Sequence, residues 1–438
     1  MRIAVTTLGC KINQYDSAVI QERLATYRHS FVPFEEKADC YIINTCTVTD
    51  RADWEARRLI RRAKRLSPEA RVLVTGCYAQ VNPQEVARVP GVDFVVGLNR
   101  LDDLLGFVND PEPLSEVRIS VGDARKERGA PVLGARRLPD HTRAFLKIQE
   151  GCNYSCTFCI IPLARGRSRS VPPEGVLGQI RSLAQAGFQE VVLTGIHLGG
   201  YGHDLRPRRD LTSLLEEIVA GRWIPRLRLS SLDPREVPEG LLQFIARSDL
   251  LCPHLHVCVQ AGEDRILKQM RRNYDTAFYR DLVVRARELL PDAALGTDVI
   301  VGFPGETEDE FRRSMEFLDA LPLSYFHVFP YSVRSGTVAA GLSDQLPPRV
   351  RKERAKRMRE LGARKKREFY SRFMGRRLRV LVERGGDEAG GLFKGYSRNY
   401  LPVSVQAGES CINQEVEVII EGWEGGWLKG SRVEGLKG

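Results

Sequence analysis

Three cysteines stand at the spacing C-x3-C-x2-C in Cys152-Asn-Tyr-Ser-Cys156-Thr-Phe-Cys159. Thiolates this close can ligate three irons of one cubane cluster and leave the fourth iron without a protein ligand. The competing use of such a set is zinc, but structural zinc takes four ligands, usually as two separated pairs. No further Cys or His lies close by in sequence, and His141 precedes the strand that leads into the triad, so it belongs at that strand's other end. A second set shares another context. Cys10, Cys46 and Cys77 each end an apolar run: IAVTTLGC, CYIINTC and VLVTGC. In a parallel sheet such strand ends face one edge, so residues 36 and 31 apart in sequence can converge. That is a second candidate iron–sulfur site, again with one iron open. A single cysteine at a strand end is commonly a small buried residue, a weaker account of three in register. The other four of the ten cysteines, Cys40, Cys252, Cys258 and Cys411, have no such pattern and read as structural.

The elements that must position these thiols follow from periodicity. Residues 1–108 alternate strand runs (Ile3–Leu8, Tyr41–Thr45, Val72–Thr75, Phe94–Val96) with helical stretches such as Ala52–Leu66, which predicts a parallel α/β sheet domain. Residues 109–142, rich in Pro, Gly and charge, read as a linker with a short strand at Val117–Val121. From 143 to 346 the alternation resumes, with strands at Ala144–Ile148, Val191–Thr194, Leu227–Ser230, Leu255–Val259, Thr297–Val301 and Phe326–Phe329. Six βα units in series predict a partial barrel whose ligands gather at the strand ends, and the Cys152 triad follows the first strand directly. Residues 347–370 read as one basic helix, and 371–433 as a small β-barrel built from RLRVLVE, YLPVSVQ and EVEVIIEGW. Asn13 is expected to cap the first helix, with Gln14 and Asn44 in similar turn-stabilising roles. Lys11, beside Cys10, is either a plain surface lysine or a cation placed for an anionic cluster or phosphate.

The chain has 438 residues and a formal charge of +10. Residues 349–377 hold fourteen Lys and Arg against Glu353, Glu360 and Glu368, a local excess of +11, so the remainder is near neutral. A concentrated basic segment suits a polyanion partner; a solvated helix face is the alternative. Lys394, Tyr396, Arg398 and Tyr400 interleave cations with aromatics in the β-tail, a pattern that suits stacked bases and phosphates, although tyrosines also serve ordinary barrel packing. No apolar run reaches membrane-spanning length, and the opening MRIAVTTLGC lacks a signal peptide's apolar core. The expectation is a cytoplasmic protein with no membrane partner.

CNYSCTFC resembles the signature of the radical S-adenosylmethionine superfamily. Further segments agree: Leu193-Thr194-Gly195-Ile196, Arg228–Pro234, His254–Gln260 and Gly296–Thr307. The resemblance implies a 4Fe-4S cluster on Cys152, Cys156 and Cys159. Its open iron would chelate the amino and carboxylate groups of S-adenosylmethionine, and an electron would split the sulfonium to a 5′-deoxyadenosyl radical. It further implies cofactor contacts at Tyr154, Phe158, Thr194, Gly195, Ser231 and Gln260; turn chemistry and core packing are the plain alternatives for these positions. Nearly end to end, from TLGCKINQYDS through NTCTVTDRAD and VTGCYAQ to HVFPYSVRSGT, the chain is similar to the methylthiotransferases, with a TRAM-like C-terminal part. That likeness implies a second 4Fe-4S cluster on Cys10, Cys46 and Cys77, two molecules of S-adenosylmethionine per reaction, a low-potential electron donor, a sulfur source and tRNA as partner. Gly9-Cys10-Lys11-Ile12-Asn13 and Thr194–Gly199 resemble the MtaB-type branch, which acts on N6-threonylcarbamoyladenosine. Branches acting on isopentenyladenosine or on a ribosomal protein aspartate are the alternatives, and a non-catalytic iron–sulfur RNA-binding module is the alternative outside enzymes.

Overall fold

The computed structural model describes residues 1–110, 116–130, 134, 142–387 and 391–433. His141 and much of the expected 109–142 linker lie outside the described residues. The N-terminal sheet is six-stranded and parallel. Its strands are β1 (Arg2–Thr7), β2 (Ser30–Phe31), β3 (Cys40–Thr45), β4 (Arg71–Gly76), β5 (Phe94–Val96) and β6 (Arg118–Ser120), in the order β2-β1-β3-β4-β5-β6. Two-sided burial explains the apolar runs: β3 has every residue buried. The short strand expected in the linker exists as β6 and extends this sheet, so the domain's sheet continues past residue 108. The order reverses between β1 and β3, the position where sheets of this kind gather their ligands.

The central domain holds β7 (Arg143–Glu150), β8 (Arg169–Ser170), β9 (Glu190–Gly195), β10 (Arg226–Leu229), β11 (His254–His256), β12 (Ala294–Val301) and β13 (Tyr325–Pro330). Strands β7, β9, β10, β11, β12 and β13 are the six expected barrel strands. They form two hydrogen-bonded sheets, β10-β9-β7-β8 and β11-β12-β13, joined by the isolated parallel bridge Leu232↔Val257. The added β8 runs antiparallel to β7. On β13, His327 and Phe329 are exposed, whereas Phe326 and Val328 pack on the core, so the barrel interior is accessible beside this edge strand.

The basic helix spans Pro348–Ser371 and lies against β13, with Gly362 so close to Phe326 that a Cβ would sit 3.2 Å from its ring. Its charge is partly neutralised by the barrel it braces: Arg354 pairs with Glu306, Arg357 with Glu308, and Arg364 with Asp319. Among the described residues, Arg349, Lys352, Lys356 and Arg367 are exposed and lack a carboxylate partner. The tail is a closed barrel, β14 (Arg377–Asp387), β15 (Leu392–Ser397), β16 (Pro402–Gln406), β17 (Glu415–Glu424) and β18 (Trp427–Arg432), ordered β14-β15-β16-β18-β17. No helix among the described residues is long and apolar enough to cross a membrane.

Candidate active site between two cysteine triads

Each cysteine of the N-terminal set leaves the carboxyl end of one of three adjacent strands. Thr7 of β1 pairs with Asn44 of β3, and Thr45 of β3 with Gly76 of β4, so the residues that follow stand side by side. Gly9 makes the first turn at φ +104°; a Cβ there would lie 2.8 Å from Cys46 Cβ and 3.1 Å from its Sγ. Gly76, at φ +95°, would place a Cβ 2.3 Å from the Thr45 carbonyl. Only glycine allows these backbones to approach so closely. Cys10 then stands at the N-cap of the helix Lys11–Ala25, and Cys77 opens the helix Cys77–Val81.

Asn13 is not the cap that its position suggests, because Cys10 holds that place. Asn13 sits in the first turn, and its Nδ2 donates to the carbonyls of Leu8 and Thr45 at 2.8 and 3.0 Å. It therefore ties the loops after β1 and β3 together. Asn44 completes the tie by donating to Asn13 O and Ser17 Oγ.

The second triad sits at the carboxyl end of β7. Gly151 precedes Cys152 at φ +71°, where a Cβ would be 2.0 Å from the Arg167 carbonyl. The Cys159 amide donates to Cys156 O at 3.1 Å, which curls the loop and brings its thiols within electrostatic reach of one another. Burial pushes Cys46 and Cys159 up to about 12 and Cys152 to about 11, and in each case a neighbouring triad thiol adds to the rise. Metal-free, these are neutral thiols; iron must displace their protons, as thiolate ligation always requires.

Two arginines that the sequence reading did not single out touch the triads. Arg165, 1 % exposed, ends the short helix Ile161–Arg165. Its Nε lies 3.4 Å from Cys77 Sγ, while its other nitrogens bond Glu150, Asn13 and Asp16 at 2.8, 2.6 and 3.0 Å. Lys147 bonds the same two carboxylates. Arg272 places Nη1 2.9 Å from Cys156 Sγ and also pairs with Asp233. A thiolate-ligated cluster carries net negative charge, so three thiols with a buried cation against one of them fit such a cluster in both places. Arg334, after β13, reaches back to Thr47 O, Asp50 and Asp53 and fixes the Cys46 loop to the barrel. The only local signal for Arg165 was a charge directly after the apolar run Ile160–Ala164.

The expected cofactor contacts sit as follows. Phe158 and Gln260 border a cavity of about 210 Å³ together with Cys159, Asp298, Ile300 and Phe329, and Val48 and Thr49 from the Cys46 loop close its other side. Gln260 is a left-handed residue at φ +66°, held by backbone bonds to Asp298 and Ile300. Tyr154 packs its ring 4.3 Å from that of His197 and reaches Glu236 at 3.4 Å. Thr194 is buried in β9, Gly195 ends that strand against Gln149, and Ser231 is exposed just after β10. A larger cavity of about 520 Å³, lined by Asp16, Arg100, Lys147 and Arg169, lies beside the Arg165 ion network and borders no triad cysteine. The smaller one touches both cysteine loops.

The residues expected to face RNA in the tail make contacts within the chain. Tyr396 stacks on Tyr400 at 5.1 Å, with Arg143 over its face at 4.3 Å. Arg398 is held by Glu415 at 2.8 Å and by the carbonyls of Asp249 and Pro225. Tyr400 meets His254 at 4.4 Å and lies under Arg228. Lys394 lies over Trp427. The first three form the seam that closes the amino end of the central barrel, because the strand starts there carry buried charge that needs partners. Arg226 and Arg228 share Glu190, all three side chains being fully buried, and then reach Glu415 and the carbonyls of Tyr396 and Arg398. Arg143 pairs with Glu383.

Comparison with known proteins agrees with this architecture. Residues 2–97 match the uncharacterized protein family UPF0004, and residues 146–318 match the radical SAM superfamily. The threonylcarbamoyladenosine tRNA methylthiotransferase MtaB of Bacillus subtilis (strain 168) is 40% identical over 95% of this chain and 93% of its own length. The tRNA-2-methylthio-N(6)-dimethylallyladenosine synthase of Moorella thermoacetica is 33% identical over 98% of each chain. Among solved structures, the radical S-adenosylmethionine methyltransferase TsrM of Kitasatospora setae, with cobalamin and a [4Fe-4S] cluster bound, aligns with a TM-score of 0.53 at 18% identity over 77% of each chain, a likeness of fold. A triad on a barrel mouth, a second sheet domain facing it and identity along nearly the whole length place this chain in the MtaB-type methylthiotransferases of the radical S-adenosylmethionine superfamily.

Proposed function

We propose that this protein methylthiolates carbon 2 of N6-threonylcarbamoyladenosine beside the anticodon of tRNA, by a radical reaction that uses two molecules of S-adenosylmethionine. The observation that carries the reading is the cavity shared by the two cysteine loops, bordered by Cys159 on one side and Val48 and Thr49 on the other. The target carbon bears an unactivated aromatic hydrogen, which no acid or base removes at neutral pH. When bound, the clusters and S-adenosylmethionine supply the radical and the sulfur that this exchange needs. Cys152, Cys156 and Cys159 would hold the radical-generating cluster, and Cys10, Cys46 and Cys77 the sulfur-bearing one.

The chain's own residues do the remaining work. Arg165, Arg334 and Asn13 lock the sheet domain onto the barrel and fix one triad against the other. Phe158, Ile300 and Phe329 give the cavity apolar walls. The unpartnered cations Arg349, Lys352, Lys356 and Arg367 supply sequence-independent attraction to RNA. The reading also requires a low-potential electron donor and a sulfur source. The higher identity to the threonylcarbamoyladenosine relative than to the dimethylallyladenosine one supports the choice of nucleoside.

The test is mass analysis of tRNA nucleosides from cells lacking the gene. The methylthio group is expected to vanish from threonylcarbamoyladenosine alone. Its loss from isopentenyladenosine, or from a ribosomal protein aspartate instead, would reassign the substrate. In purified form, replacing Cys10, Cys46 and Cys77 together is expected to preserve reductive cleavage of S-adenosylmethionine and abolish methylthiolation.

A further inference from the structure

Three neighbouring strands of the central barrel bring two imidazoles and a carboxylate together. His256 stands on β11, Asp298 on β12 and His327 on β13. The strands are parallel, with His256 opposite Gly296 and Asp298 opposite His327, so the strand period of two puts all three side chains on one face. Asp298 Oδ1 lies 2.8 Å from His256 Nε2 and 3.2 Å from His327 Nδ1. One ligand atom from each of the three residues falls within 4.8 Å of the others. Imidazole nitrogens and carboxylate oxygens bind zinc at about 2.0–2.2 Å, which sets neighbouring ligand atoms about 3 Å apart. The two separations from Asp298 are of that size.

The surroundings hold these donors in place. Gly296 is a glycine for a reason of space, since a Cβ there would overlap the Tyr325 ring. The room it leaves lets the Tyr325 hydroxyl meet His256 Nδ1 at 3.1 Å and His254 Nε2 at 2.8 Å. Cys258 Sγ donates to the second carboxylate oxygen, Asp298 Oδ2, at 3.2 Å. A hydrogen bond on the far nitrogen of an imidazole, and another on the carboxylate beside it, is how metal sites orient their ligands. His256 is buried, Asp298 half-buried and His327 exposed, so the cluster is closed on one side and open on the other. Asp298 also borders the cavity shared by the two cysteine loops.

We infer that His256, Asp298 and His327 bind one divalent transition-metal ion, separate from both cysteine triads. Two imidazoles with one carboxylate suit zinc or ferrous iron, whereas magnesium prefers oxygen ligands alone. Three protein ligands leave a position open, as at catalytic zinc, and an oxygen donor fills it, either water or an oxygen of a molecule in the adjoining cavity. With the ion bound, His256 coordinates through Nε2, its Nδ1–H donates to Tyr325, and the Tyr325 hydroxyl donates to His254. Without it, His256 Nε2 and His327 Nδ1 must both carry protons directed at the same oxygen of Asp298. The inference is independent of which nucleoside the enzyme modifies.

The test adds an equivalent of zinc to the untagged, full-length, cluster-loaded enzyme without oxygen. Zinc and iron per chain are read after gel filtration, and X-ray absorption at the zinc edge identifies the neighbouring atoms. The wild type is expected to retain one zinc with its iron unchanged, and with nitrogen and oxygen neighbours at about 2.0–2.2 Å. Asp298→Asn and His327→Ala are expected to lose the zinc. Tyr325→Phe is expected to weaken it by about 10- to 100-fold, read by competition with a chelator. His327 is exposed on an edge strand, so its variant is expected to keep the wild-type melting temperature and separates loss of the ion from loss of the fold. A wild type that retains no zinc would overturn the inference and leave the three residues as a hydrogen-bonded cluster. Sulfur neighbours, or zinc held equally by His327→Ala, would also overturn it and assign the ion to cysteines.

Discussion

At the scale of single residues, the site depends on three Gly-Cys steps. Gly9, Gly76 and Gly151 all have positive φ, and each sits where a Cβ would press on a neighbour within 3 Å. Gly76→Ala is expected to cost about 1–3 kcal/mol and to deplete iron from the N-terminal triad, read by thermal melting and by iron content per chain. Retention of both clusters would show that the loop can shift. Arg165 carries a different burden, since its removal leaves Lys147 alone to hold Glu150 and Asp16. Arg165→Met is expected to destabilise the chain by about 3–5 kcal/mol, as for other broken buried pairs, measured by denaturant titration. The corresponding Arg272→Met should leave the N-terminal triad's iron in place and lower only that of the Cys152 triad.

At the scale of elements, the basic helix Pro348–Ser371 has two faces with separate duties. Arg354, Met358, Leu361 and Lys365 are turned into the barrel, and Lys365 donates to the carbonyls of Asp319 and Leu321 at 2.7 Å. Lys352, Lys356 and Arg367 point outward. Replacing those three with Glu is expected to leave the melting temperature nearly unchanged. It should weaken binding to unfractionated tRNA by about tenfold or more and flatten its salt dependence. Unaltered binding would locate the RNA surface elsewhere. The local charge of this segment was plain from its composition, but the share free for a partner was not, because Glu306, Glu308 and Asp319 come from other parts of the chain.

At the scale of the whole molecule, two buried carboxylates hold the arginines that join the three domains: Arg165 reaches Asn13 and Asp16, and Arg226 reaches Glu415. Burial alone would raise Glu150, but Arg165 and Lys147 outweigh it and hold its carboxyl at about 2. Burial likewise opposes ionisation of Glu190, and Arg228 and Arg226 hold it at about 2. Both values lie below the ordinary 4.5. The unfolded chain therefore takes up these protons first, and the stabilisation is complete above about pH 4.5 and disappears as pH falls through about 2. Stability of the metal-free chain is expected to drop over that window. Glu190→Gln should remove part of the drop while lowering stability at neutral pH, since Arg226 and Arg228 lose their partner; melting curves taken across the pH series check both.

The sequence by itself determined the parts whose signal is local: the C-x3-C-x2-C triad, the cysteines at three strand ends, the βα alternation and the basic helix. Each of these is written in spacing over a few residues. Tertiary structure decided what depends on partners far apart in the chain. The strand order that sets Cys10 and Cys46 at the ends of neighbouring strands arises from how β2 and β3 flank β1. Arg165 lies 88 residues from Cys77, and Arg143 lies 240 from Glu383. Tyr396, Arg398 and Tyr400 have the composition of an RNA-binding row, and only the fold shows that they also meet the buried charge at the amino end of the central barrel. Residue type limits what a side chain can bind, and the fold settles which partner reaches it first.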